Sequence, residues 1–119
     1  MVDDKSNAIY TKLLRHMQGL YPALKGGTNF DEKVKLPYMH FQQLDASTRL
    51  TTLSNTEDGI NLAFQIDVYT NNGMNMARNM ANDIRAYMVS DSFRCRTFMP
   101  IQQPSNVSRF VGRYERLDV

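Results

Sequence analysis

Between residues 60 and 68 the side chains Ile60, Leu62, Phe64, Ile66 and Val68 are aliphatic or Phe, with Asn61, Ala63, Gln65 and Asp67 between them. A two-residue period sends alternate side chains to opposite faces, so this stretch predicts a strand with one apolar face. Asn71-Asn72-Gly73 breaks it. From there the apolar positions are Met74, Ala77, Ala81, Ile84 and Met88. That 3-4-3-4 spacing traces a continuous stripe along a helix of about four turns. A half-buried strand therefore runs straight into a helix that must lie against a sheet.

The same test applied elsewhere predicts the remaining elements. Ile9, Leu13, Met17 and Leu20, widened by Leu14, mark an N-terminal amphipathic helix. Asp3 and Asp4 sit in its first turn, where negative charge is favoured. It should stop near Tyr21, because the residue before Pro22 is pushed out of helical geometry. Lys25-Gly26-Gly27-Thr28-Asn29 reads as a loop, and Asp31-Glu32-Lys33-Val34-Lys35 as a solvated connector. Residues 36–44 predict a strand with Pro37 at its start or on a sheet edge. Residues 46–54, rich in Thr and Ser, predict a second strand with a polar outer face, and residues 55–59 a turn; the whole segment also reads as one long hairpin arm.

After the second helix, Phe93, Cys95, Thr97, Met99 and Ile101 alternate with Arg94, Arg96 and Phe98, a strand with one arginine-bearing face. Residues 102–106 turn the chain into a last strand over 107–117. Arg109, Val111, Arg113 and Glu115 share one face there, and Phe110, Gly112 and Tyr114 the other. Closing this hairpin symmetrically about Pro104 sets Phe98 opposite Phe110 and Arg94 opposite Tyr114. Both faces of the ribbon then carry apolar or aromatic groups, which is easiest to understand if another subunit covers one of them. The order α-β-β-β-α-β-β predicts an α+β fold: a mainly antiparallel sheet of four to five strands with two helices packed on one face.

A chain of 119 residues with 42% hydrophobic content suits a single domain, residues 1–119. Its formal charge of +2 does not advertise wholesale binding to polyanions or membranes. The distribution changes that picture, because all five Lys lie at or before Lys35 and arginines crowd the last third. One cysteine, Cys95, excludes an internal disulfide framework. The polar N-terminus lacks a secretory pattern and no apolar run approaches a membrane span, so a soluble protein is expected.

Candidate chemistry is sparse. Cys95 with His16 or His40 could form a thiol-imidazole pair, but an inert thiol on the inner face of a strand is the better expectation. The same three residues lack paired zinc-ligand spacing. Asp3-Asp4, Asp31-Glu32 and Glu57-Asp58 read as solvated caps or turns. Gly26-Gly27 lacks the strand and the Lys-Ser/Thr of a phosphate loop. Asp67 interrupts the strongest strand on the face away from Ile66 and Val68, and is expected to pair with an arginine of a neighbouring strand. Arg94, Arg96, Arg109 and Arg113, near Phe98, Phe110 and Tyr114, could form a platform for single-stranded nucleic acid, a solvated strand face or an intersubunit surface. The methionines are expected to fill core and contacts. No cofactor, no metal and no enzymatic activity are expected.

The succession of an N-terminal helix, a strand opening with Leu36-Pro37-Tyr38, a Thr-rich hairpin, the strand Phe64-Gln65-Ile66-Asp67-Val68-Tyr69-Thr70, a helix with Ala77, Ala81 and Ile84-Arg85, and a closing hairpin resembles the tail terminator or tail completion proteins of long-tailed bacteriophages. The resemblance covers nearly the whole chain and is sharpest around Asp67-Val68-Tyr69. It implies a non-enzymatic virion protein, assembled in the bacterial cytoplasm, that forms a ring, typically hexameric, at the head-proximal end of the tail tube. Such a ring ends tube polymerisation and presents a surface to the head connector, with DNA passing through its lumen in transient, non-specific contact. The implied partners are copies of itself, the tube protein and the connector or stopper protein, with no membrane. A head-side connector or stopper of the same neck is the nearest alternative, and a small nucleic-acid-binding module is one of a different class. Candidates for subunit interface or lumen are Asp67, Arg94, Arg96, Arg109, Arg113, Arg49 and Tyr114.

Overall fold

In a computed structural model the described residues are 4–28, 35–44, 60–101 and 106–118. Their elements run α1 (Asp4–Leu20), β1 (Lys25–Gly27), β2 (Tyr38–Leu44), β3 (Ile60–Thr70), α2 (Met74–Ser90), β4 (Arg94–Ile101) and β5 (Ser108–Asp118). The five strands form one sheet in the order β1-β2-β3-β5-β4. β1 runs parallel to β2, and every other pairing is antiparallel. This is the expected α+β fold with both helices on one face of the sheet.

The helix-facing core follows from the predicted periods. Ile9, Leu13 and Met17 of α1 and Ala77, Met80, Ala81, Ile84 and Met88 of α2 are buried against Met39, Phe41, Leu62, Phe64, Ile66 and Val68. Each of the Leu, Ile, Val, Met and Phe side chains contributes about 1.5–3 kcal/mol when fully buried. Aromatic rings cross the sheet as a chain of tilted pairs, Tyr10–Phe41 at 5.1 Å, Phe41–Phe64 at 4.8 Å and Phe64–Phe93 at 5.6 Å between centroids. The helices also touch each other: His16 stacks on Tyr87 at 4.8 Å, and the Tyr21 hydroxyl donates to Asp83 Oδ2 at 2.5 Å. Burial and that carboxylate push the Tyr21 hydroxyl up to about 12.

Chain reversals are built from backbone hydrogen bonds. At the end of α2 the Phe93 N–H donates to the Met88 carbonyl at 3.0 Å, while Ser92 takes a left-handed φ of 70°. A left-handed residue just past the last turn is the usual way to satisfy terminal helix carbonyls, and Gly is the residue that adopts it at least cost. Gly73, at φ 102°, stands directly before α2.

The expectations differ from the fold at three places. Lys25-Gly26-Gly27 is a strand, because the chain leaving α1 runs back beside β2 and finds its open edge; Pro37 accordingly lies just before β2, which is an interior strand. The hairpin is out of symmetric register: Phe98 pairs with Gly112, Pro100 with Phe110, Cys95 with Tyr114 and Arg94 with Glu115. Next to the turn Ile101 already pairs with Arg109, two residues off symmetry about Pro104, and a β-bulge between Cys95 and Thr97 then changes the offset by one, which exchanges the faces of Arg94 and Cys95 relative to β5. The strand expected over residues 46–54 and the turn over 55–59 lie outside the described residues, as does Arg49.

Candidate functional site

β3 is buried on both sides. Opposite its helix-facing row, Ala63, Asp67 and Tyr69 are also inaccessible, with Asp67 only 1% exposed. A carboxylate removed from water needs compensating partners, and the β3–β5 register provides them. Tyr69 faces Arg109, Asp67 faces Val111 and Gln65 faces Arg113, which leaves both arginines diagonal to Asp67. Arg109 Nε donates to Asp67 Oδ2 at 2.8 Å, and its Nη2 donates to the same oxygen. Gln65 Nε2 donates to Asp67 Oδ1 at 3.1 Å, while Gln65 Oε1 accepts from Arg113 Nε at 2.9 Å. The Arg109 guanidinium also lies 5.5 Å from the Tyr69 ring centre. Burial, and then the Asp67 charge, raise the Tyr69 hydroxyl above its ordinary value, with Arg109 opposing.

Beside this network β4 and β5 form a concavity of about 330 Å³. Its polar walls are Gln65, Thr97, Arg109 and Arg113, and its apolar surface is Met99, Ile101 and Val111. Met99 is 46% exposed, and among the described residues no helix or strand covers this face. The rim strand β4 carries several features that discourage pairing with another strand: the bulge, Pro100 within the strand, and Arg94 and Arg96 exposed at its beginning.

The expected site residues separate into groups. Asp67, Arg109 and Arg113 come together in the network described above. Arg96 Nε lies 3.5 Å from Glu115 Oε1, and Arg94 is exposed opposite Glu115 in register. Tyr114 is not at a surface: it is 2% exposed, on the helix-facing side, and a Cβ placed on Gly112 would lie 2.5 Å from its hydroxyl. Its burial also raises its hydroxyl well above the usual value. Asp67, too, is turned inward and satisfied within its own chain, so it offers no carboxylate to a neighbour.

The bulge also dismantles the aromatic-arginine platform. Phe98 stays on the helix-facing side with Phe110, stacking on it at 4.6 Å with the Arg85 guanidinium at 5.0 Å, while Arg94 passes to the other face opposite Glu115. Phe110 and Tyr114 are buried. Cys95 shares that side, its thiol donating to the Thr97 carbonyl at 3.4 Å, and burial pushes the thiol up, away from thiolate. His40 lies on the opposite face in register with Asp67, and His16 is stacked on Tyr87, so neither forms a thiol-imidazole pair. Among the described residues no three His, Cys, Asp or Glu side chains are grouped to hold a metal ion. No described helix is long and apolar enough to cross a membrane.

Sequence reasoning missed Gln65 and Tyr69 as partners of Asp67. Their positions two residues to either side, on the same strand face, were the available signal. Comparison with protein-family models, curated proteins and solved structures returns no match.

Proposed function

We propose that this protein is a structural component of a long-tailed bacteriophage, forming a ring, hexameric in the family it resembles, that caps the head-proximal end of the tail tube and joins it to the head connector. Its chemistry is recognition between protein surfaces, and its partners are copies of itself, the tube protein and the connector protein. DNA passes through the lumen.

The observation that carries this reading is the β4–β5 face. Met99, exposed, and Ile101, half-buried, stand over the buried Val111 in a concavity edged by arginines, a mixture typical of an interface core with its polar rim. The blunted β4 edge adds to the case. Copies that meet here do so by packing side chains on a face, a heterologous contact that can close into a ring, and strand-to-strand polymerisation is discouraged. The internal pairing of Asp67 keeps this face firm, because Arg109 and Arg113 are held in fixed positions before any partner arrives.

The test is solution mass of the purified protein, alone and with tube protein, together with electron micrographs of particles made without it. Closed rings and overlong or uncapped tubes beside tailless filled heads are the expected results. A strict monomer indifferent to tube protein would overturn the reading. Normal tails beside empty heads would reassign the protein to the head side of the neck.

A further inference from the structure

The arginine-rich hairpin is the part of the sequence that looks built for a polyanion, yet in the fold three of its five arginines lie against carboxylates. Arg109 is held by Asp67, Arg96 lies beside Glu115, and Arg116 donates to the Asp91 carbonyl at 2.9 Å with its carboxylate at 3.3 Å. Arg113 donates through Nε to the neutral amide of Gln65, and Arg113 and Arg94 keep their charge at the surface. The aromatic rings that would have stacked bases lie on the helix-facing side.

The helical layer shows the reverse. Lys12 and Arg15 of α1 and Arg78 and Arg85 of α2 are all exposed, and none forms an ion pair among the described residues. The exposed surface of α2 is completed by amides, Asn75, Asn79 and Asn82, at helical spacing beside those arginines. The carboxylate described within α2, Asp83, accepts the Tyr21 hydroxyl between the helices. Among the described side chains, two helices thus present these four cations and a row of neutral hydrogen-bonding groups.

Given the ring reading above, on which this step rests, we infer that the outer surface of the helical layer is where the protein meets nucleic-acid phosphates. Lys and Arg neutralise phosphate charge, and Asn side chains donate to phosphate oxygens without reading bases. Few cations separated by amides give contact that is weak and salt-sensitive, as suits a duplex that must slide past. The occupant is the phosphate backbone of duplex DNA.

The experiment measures fluorescence anisotropy of a labelled duplex oligonucleotide with the full chain from about 20 to 200 mM salt, with light scattering on the same samples to record ring formation. Each phosphate contact contributes a slope of about −0.9 to log affinity against log salt, so Arg78→Gln/Arg85→Gln should flatten the slope by about 1.8, and Lys12→Gln/Arg15→Gln similarly. Arg94→Gln, at the start of β4 and outside the concavity, should leave it nearly unchanged. Intact rings with unchanged DNA affinity in the helical variants, affinity lost only in the hairpin variant, or no binding at 20 mM salt would overturn the inference while leaving the ring. Binding to phosphatidylglycerol vesicles but not to the duplex would overturn it in favour of a membrane surface. Failure of the wild type to form rings would strike the earlier reading instead.

Discussion

Replacing Arg109 by Met is the sharpest perturbation of this structure. The thioether chain keeps the apolar stem beside Tyr69 but removes the guanidinium from a carboxylate that is 1% exposed, whereas the Arg109 side chain is itself 27% exposed. The two halves of the pair are therefore unequal. Without Arg109, Asp67 keeps among the described residues only Gln65 at 3.1 Å and a long contact from the Tyr69 hydroxyl at 3.5 Å, too little for a dry carboxylate. Stranding a buried charge in this way costs about 3–5 kcal/mol. Without the Asp67 charge, as in Asp67→Asn, Arg109 can turn toward water and the cost is about 1–2 kcal/mol. Urea unfolding at pH 7.5 should show that asymmetry, and the double variant Asp67→Asn/Arg109→Met should recover most of the Arg109→Met loss.

Because a domain of this size has about 5–15 kcal/mol in total, Arg109→Lys, which keeps the charge, serves as the folded control. Equal losses at the two positions would show that the pair is not desolvated and that the account of the network is wrong.

Three further outcomes test other parts of the structure. Gly112→Ala should cost about 1–3 kcal/mol by thermal melting, because the new methyl would lie 2.9 Å from ring carbons of the buried Tyr114, which has no room to swing away. Ser92→Gly should stabilise by up to about 1 kcal/mol in urea, since Ser92 holds a left-handed φ of 70° that Gly adopts without steric cost. Met99→Asp should leave the unfolding midpoint within about 0.5 kcal/mol of wild type while reducing self-association measured by light scattering, because the side chain is 46% exposed in the single chain.

The legible part of this chain was its local periodicity. A two-residue alternation ending at Asn71-Asn72-Gly73 and the 3-4 spacing after Met74 marked β3 and α2, and the α1 stripe, because those patterns record which faces meet the core. Asp67 was identifiable as a carboxylate needing an arginine, since a lone acid on a strand must be compensated. Which arginine, and what the others do, was not identifiable, because that depends on register. A bulge at Arg96 leaves no mark in composition, yet it sets Arg94 and Phe98 on opposite faces of the sheet. β1 was equally hidden: Lys25-Gly26-Gly27 has no strand propensity and is extended only because β2 offers it hydrogen bonds. Residue order thus decided which segments are helix or strand and which sides are apolar. Long-range pairing decided which charges are consumed within the sheet and which stay outward on the helices, because cross-strand distance, unlike periodicity, is a property of the assembled fold.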